Sequence, residues 1–171
     1  MLSGTSIEQK RWYALYTKHQ HERTVAWNLQ CKGFETFLPL YAAARNWKDR
    51  VKVLSLPLFP CYVFLNTEIP RKSEILATPG IHDFVTSAGQ PAAIPSTEIE
   101  GIRQAVGSGA RVEPHPFLKC GDKVNVKCGP MAGLKGILVR KKNVYRLVLS
   151  VQMLGKAAAV EVDAVMVERL N

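Results

Sequence analysis

The chain has 171 residues, 47% of them hydrophobic and 22% charged, with a formal net charge of +9 at pH 7. That length suits one medium domain or two small ones, and the apolar share excludes a disordered chain. The charge favours a polyanionic partner such as nucleic acid and is spread along the chain, with 13 basic and 9 acidic residues through Arg111 and 10 and 5 beyond it.

Residues 1–10 read as an N-terminal tail; they lack the apolar stretch of a secretion signal, and no later run approaches a membrane span, so a cytoplasmic protein is expected. RWYALYT (11–17) alternates like a strand. In HQHERTVAWNLQCKG, Val25, Ala26 and Leu29 fall at helical spacing and Gly33 is a natural stop. FETFLPLY returns to a strand, which makes a strand, helix, strand unit whose two strands can share one sheet.

RNWKDRVKVLSL is a charged stretch that reads as a projecting hairpin or loop, with Lys48, Arg50 and Lys52 as a solvated face and nucleic-acid contact as the alternative. PLFPCYVFL follows, and its alternation sends Tyr62 and Phe64 to one side and Cys61, Val63 and Leu65 to the other. Both faces are apolar, so the strand is buried on both sides or keeps one face for a partner. PRKSEILATPG is a short helix with Pro70 in its first turn, closed by Pro79 and Gly80. HDFVTSAGQPAAIP reads as a short hairpin. In STEIEGIRQAVG, Ser96 is the expected N-cap, Glu98 and Glu100 suit the first turn, and Ile99, Ile102 and Val106 share a face.

Composition then changes. GSGARVEPHPFLKCG supports no regular element and reads as a linker over 109–118. From Asp122 onward only short strands are expected, KVNV, KGILVRK, YRLVLSVQML and AAAVEVDAVMVERL, which suggests a small barrel. Cys31, Cys61, Cys120 and Cys128 show no CxxC spacing and are expected as buried or half-buried thiols. His19, His21, His82 and His115 lack a metal-ligand spacing. With no nucleophile elbow, P-loop, HExxH or paired carboxylates, neither an enzyme nor a cofactor or metal is expected.

GDKVNVKCGPMAGLKG (121–136) resembles a KOW motif, the opening of an SH3-like barrel, in which Gly129-Pro130 makes a tight turn and Gly133 and Gly136 let the chain fold back. Together with RWY, PLFPCYVF, ATPGIHDFV, PAAIP and LSVQMLGKAAAVEVD, it follows the order found in the NusG family of transcription factors, from Arg11 to Leu170. The wording of PLFPCYVF and WYALYTK is closer to specialised paralogues of the RfaH and polysaccharide-operon antiterminator type than to housekeeping NusG. This resemblance implies an α+β NGN domain over 11–108, mainly antiparallel sheet flanked by helices, joined by a flexible linker to an all-β SH3-like KOW domain over 119–171.

It also implies sites. In the family an apolar, aromatic sheet patch grips the clamp helices of the largest RNA polymerase subunit, and the matching positions here are Tyr16, Phe59, Tyr62 and Phe64. On the residues alone these rings read as core; the resemblance turns them into interface anchors. Lys18, His19, His21, Arg23, Arg71 and Lys72 match the side that meets the non-template DNA strand, although Glu74 and Pro79 depart from the RfaH pattern for reading a specific signal. Met153, Leu154 and Lys156 match the loop by which the KOW domain meets NusE or Rho, with barrel core as the other reading of the two apolar residues. The resemblance implies a monomer that suppresses pausing or termination. The KOW domain of the RfaH type can refold into a helical hairpin, but the glycines and the strand-rich, β-branched pattern here lead us to expect a barrel that does not switch. Two other readings stay open: an RNA-binding, ribosome-associated KOW protein, and a general NusG. Few cations flank Tyr62 and Phe64, which favours a protein partner for that face.

Overall fold

The computed structural model describes residues 9–118 and 121–170. Most of the expected tail, together with Cys120 and the first two residues expected of the KOW domain, lies outside them. The elements in chain order are β1 (Arg11–Thr17), α1 (Glu22–Cys31), β2 (Glu35–Phe37), β3 (Leu40–Trp47), β4 (Arg50–Pro57), β5 (Tyr62–Thr67), α2 (Lys72–Leu76), β6 (Ile81–Phe84), β7 (Thr86–Ser87), β8 (Gln90–Pro91) and α3 (Ser96–Gly107). They continue with β9 (Val112–His115), β10 (Asp122–Val126), β11 (Lys135–Lys141), β12 (Val144–Val151), β13 (Lys156–Val162) and β14 (Val167–Arg169). Short 3-10 turns lie at Ile69–Arg71, Gln152–Leu154 and Ala164–Met166. Among the described residues, no helix is long and apolar enough to cross a membrane.

The chain divides into two compact units. One joins the segment ending at Leu38 to Cys61–Ile94; the other joins Pro39–Pro60 to everything from Pro95. The β3–β4 hairpin and α3 fall in the second unit.

In the first unit, a four-stranded antiparallel sheet runs in the order β2-β5-β1-β6. β1 and β2, connected through α1, lie in this one sheet with β5 between them, as the strand, helix, strand reading expects. The register pairs Leu15 with Val63 and Tyr13 with Leu65. These four residues form a core with Val25, Ala26 and Leu29 of α1, Phe34, Ile75 of α2 and Phe84. Each fully buried Leu or Val removes enough apolar surface from water to contribute about 2 kcal/mol. The i, i+1, i+4 spacing of Val25, Ala26 and Leu29 sets the buried stripe of α1. Cys31 sits two residues past Leu29, roughly 200° further round, and it is exposed, contrary to the expectation of a sheltered thiol. Cys128 is exposed as well, while Cys61 is half-buried as expected.

In the second unit, β3 and β4 pair over their whole length, from Leu40 with Pro57 to Trp47 with Arg50, as the projecting hairpin expected from RNWKDRVKVLSL. α3 begins at Ser96, but Ser96 is its first helical residue and not its cap: Pro95 takes the capping position, its ring fixing φ at −55° ahead of the first turn. Ile99, Ile102 and Ala105 are buried on one face of α3. Gln104 donates Nε2–H bonds to the carbonyls of Pro130 (2.9 Å) and Ala132 (3.2 Å).

The remaining strands form one six-stranded antiparallel sheet, β14-β10-β11-β12-β13-β9. This C-terminal region is β-rich, as the KOW reading expects. Gly133 stands at φ +85°, a conformation that a side chain penalises, in the turn from which its N–H reaches Val126. Gly136 is required by space, since a Cβ there would lie 2.5 Å from the carbonyl oxygen of Val148. The stretch read as an irregular linker contains β9, which pairs with β13. An ion-pair cluster around one buried arginine accompanies this pairing. Arg146, on β12 and 8% exposed, pairs with Glu113 of β9 and lies 3.7 Å from Glu161 of β13, while Arg111 lies 3.6 Å from Glu113. Glycines and prolines announce a linker; long-range pairing overrides them.

Candidate interaction sites

The face of the four-stranded sheet opposite its helix-packed core carries Tyr16 paired with Tyr62, Ala14 with Phe64 and Trp12 with Asn66. Tyr16 is 46% exposed, at the end of β1. Its ring lies 5.7 Å from that of Tyr62 and stacks at 5.2 Å on His82 of β6. Burial first, then neighbouring Tyr16 and Cys61, pushes the Tyr62 phenol above its ordinary pKa, so the hydroxyl is a neutral donor at physiological pH. The other two expected anchors are not displayed. Phe64 is fully buried and stacks on Phe37 at 6.1 Å, and Phe59 is buried too. The exposed aromatic group is therefore Tyr16, Tyr62 and His82. His82 escapes a sequence reading because only the β1–β6 register, which pairs Tyr16 with Asp83, brings it beside Tyr16.

Beside this group lies the β1–α1 loop. Lys18, His19, His21 and Arg23 are all exposed. The Lys18 N–H bonds the Gly80 carbonyl at 2.8 Å, which fixes the loop against the turn before β6. Glu22, 3% exposed in the first turn of α1, accepts the Cys61 N–H at 2.7 Å and is favoured there by the helix N-terminus. Cys61 has φ +67°, and its Sγ lies 3.8 Å from His19 Nδ1. One ligand atom each from His19, Glu22 and Cys61 lies within 4.8 Å of the others, a grouping the sequence hides because Glu22 and Cys61 are 39 residues apart. The second expected basic pair differs. Arg71 makes a fork onto Glu74, with two bonds of 3.0 Å, and lies 4.0 Å above the Phe34 ring, so its charge is already engaged. Lys72 is half-buried.

In the six-stranded sheet, the turn between β12 and β13 carries the third expected site. Met153 is 37% exposed, Leu154 half-buried and Lys156 exposed, so Met153 is not core. The Gln152 N–H donates to Glu98 Oε2 of α3 at 3.3 Å. Burial raises the Glu98 pKa, and this hydrogen bond opposes the rise.

Comparison with known proteins gives the same frame. The family model described as transcription termination factor nusG matches residues 10–103. Relatives include the transcription termination/antitermination protein NusG of Staphylococcus carnosus, 27% identical across 96% of this chain and 98% of that protein. The Staphylococcus aureus (strain Mu50) protein of the same name matches to the same extent. A solved structure of Thermotoga maritima NusG, described by its domain interaction, superposes with a TM-score of 0.59 at 21% identity over 95% of this chain and 98% of that one, a likeness of fold. With the family model covering more than half of the sequence, this chain belongs to the NusG family of transcription termination and antitermination factors.

Proposed function

We propose that the chain binds the clamp helices of the largest RNA polymerase subunit through Tyr16 and Tyr62, with Phe64 as supporting packing and with Phe59, which is buried, not an exposed anchor. The observation that carries this is the exposed Tyr16 ring, held between Tyr62 and His82 at the open end of an otherwise buried sheet face. Tyrosines of this kind make good anchors, since they bury large area at little entropic cost. Lys18, His19, His21 and Arg23 then face the non-template strand, where cations supply salt-dependent phosphate attraction and imidazoles stack on bases. Arg71 and Lys72 play a lesser part, because Glu74 and Phe34 hold Arg71.

In this reading the sheet unit holds the elongation complex in a pause-resistant form, while Met153, Leu154 and Lys156 recruit a ribosomal or termination partner such as NusE or Rho. The wording of RWYALYTK and PLFPCYVF supports a specialised factor acting at few operons. Binding of the full-length chain to a purified clamp-helix fragment tests the first step. Tyr16→Ala and Tyr62→Ala are each expected to weaken it by about 1 kcal/mol or more, with circular dichroism unchanged. No binding by the wild type would overturn the reading, as would saturating protein that leaves pausing and termination unaltered in an elongation assay.

A further inference from the structure

We propose that one face of the β3–β4 hairpin is a stacking platform for single-stranded nucleic acid. The cross-strand register puts Arg45 opposite Lys52 and Trp47 opposite Arg50. Alternation along each strand therefore gathers Arg45, Trp47, Arg50 and Lys52 on one face, with Ala44, Asn46, Val51 and Val53 on the other. Trp47 is 62% exposed and Lys52 Nζ lies 5.8 Å from its ring centroid. Among the described residues, Arg45, Lys48, Arg50 and Lys52 have no ion-pair partner, and Asp49 at the turn is the lone acid of the hairpin.

One feature of this face opposes folding stability and another gains little from it, so both point outward. Like charges directly opposite each other, as in Arg45 and Lys52, destabilise a hairpin. An exposed tryptophan at the end of a two-stranded ribbon gains nothing from burial in the isolated chain. A polyanion that also offers flat, unpaired π-faces relieves both at once: its phosphates neutralise the cations, and a base stacks on the indole. A duplex meets only half of this demand, since its bases are already stacked and paired. The cross-strand setting also separates this surface from the Tyr16 and Tyr62 site, whose paired rings carry no cation opposite them in the register and whose proposed ligand is protein. Lys48, Arg50 and Lys52 alone read as a solvated face; Trp47, aligned with them by the register, changes that assignment.

The inference deepens the reading of the chain as a transcription factor, where single strands are present as displaced DNA and as nascent RNA. Its test needs no polymerase. Full-length protein carrying Trp27→Phe, so that Trp47 is the exposed indole, is titrated with an oligothymidylate, an oligouridylate and a DNA duplex of about 12 nucleotides or base pairs. Single strands are expected to quench tryptophan fluorescence and to bind more tightly than the duplex, and the two single strands identify DNA or RNA as the source. In fluorescence anisotropy with the same labelled strands, Trp47→Ala is expected to weaken binding about tenfold, and Trp47→Phe, which keeps a stacking ring, by much less. Arg50→Ala with Lys52→Ala is expected to flatten the salt dependence by about 1.4 in log–log slope. Clamp-fragment binding by these hairpin variants is expected to stay at the wild-type level, which separates the two surfaces: loss of the clamp interaction alone would sink the polymerase reading and leave this one standing. Single-strand affinity unchanged in Trp47→Ala and in the double variant would overturn the proposal and give the hairpin to a protein partner.

Discussion

The two larger sheets among the described residues bury themselves by different means. The four-stranded sheet covers one face with α1 and α2 and fills the space with Tyr13, Leu15, Val25, Leu29, Val63 and Leu65. The six-stranded sheet buries Val124, Leu147, Val148 and Val151 beside the small Ala157, Ala158 and Ala159 of β13, and keeps a buried arginine among carboxylates. Side chains of the first kind need only be apolar and of the right size, so their cost of removal is spread over many contacts. Those of the second kind act as a set, because one partner's loss leaves a charge in or at the edge of the interior without its match. The lesson is that an apolar core tolerates change in proportion to volume, whereas a buried charge depends on a few particular atoms.

The largest effect should come from breaking that set. Arg146→Ala is expected to destabilise the protein by about 3 kcal/mol or more in denaturant unfolding. It should thereby match the loss of a fully buried Leu15 to Ala, about 3 kcal/mol, even though Arg146 is polar. Finding Arg146→Ala nearly neutral would dissolve the distinction between the two regions. A smaller loss, about 2 kcal/mol, is expected for Gly136→Ala, because its Cβ must push β11 away from the Val148 carbonyl; the same measurement on exposed Gly107→Ala, which meets nothing, is the control.

The smallest effect concerns pH. The Glu98 pKa is raised in the folded state, so between the ordinary carboxylate value and the raised one the native protein binds more protons than the unfolded chain. Stability from this group is therefore present at low pH and lost as pH rises through that window. Glu98→Gln keeps an oxygen to accept the Gln152 N–H and removes the charge. It is expected to raise the melting temperature slightly at pH 7 and to leave it unchanged at pH 4; a loss of stability at pH 7 would show that the ionised carboxylate is favourable where it stands.

Local chemistry made much of this architecture readable in advance. The strands at RWYALYT and CYVFL, the α1 stripe at Val25, Ala26 and Leu29, and the hairpin at RNWKDRVKVLSL all depend on periods of two or 3.6 that the chain carries by itself. What escaped depends on residues far away in the chain. β5 is apolar on both faces, and period alone does not tell that Phe64 is buried while Tyr62, two residues earlier on the same face, stays half-exposed. Arg71 reads as a free cation until the fold brings Phe34 beneath its guanidinium. The glycines and prolines around β9 spell a linker, and only distant residues, the β13 ladder and Arg146 some thirty residues on, show that stretch to be a strand. Likewise His82 and Tyr16 meet through a sheet register that neither segment encodes alone.

Cys61 supplies the chain with its own footprinting probe. Its half-buried thiol sits one residue before Tyr62, beside His19, while the thiols of Cys31 and Cys128 lie in the open. A docked protein that covers the tyrosine pair and the adjoining His19 loop is expected to shade this sulfur. The ratio of alkylation at Cys61 to that at Cys31, read by mass spectrometry in the native protein, thus becomes an internal gauge of occupancy that requires neither a label nor a mutation.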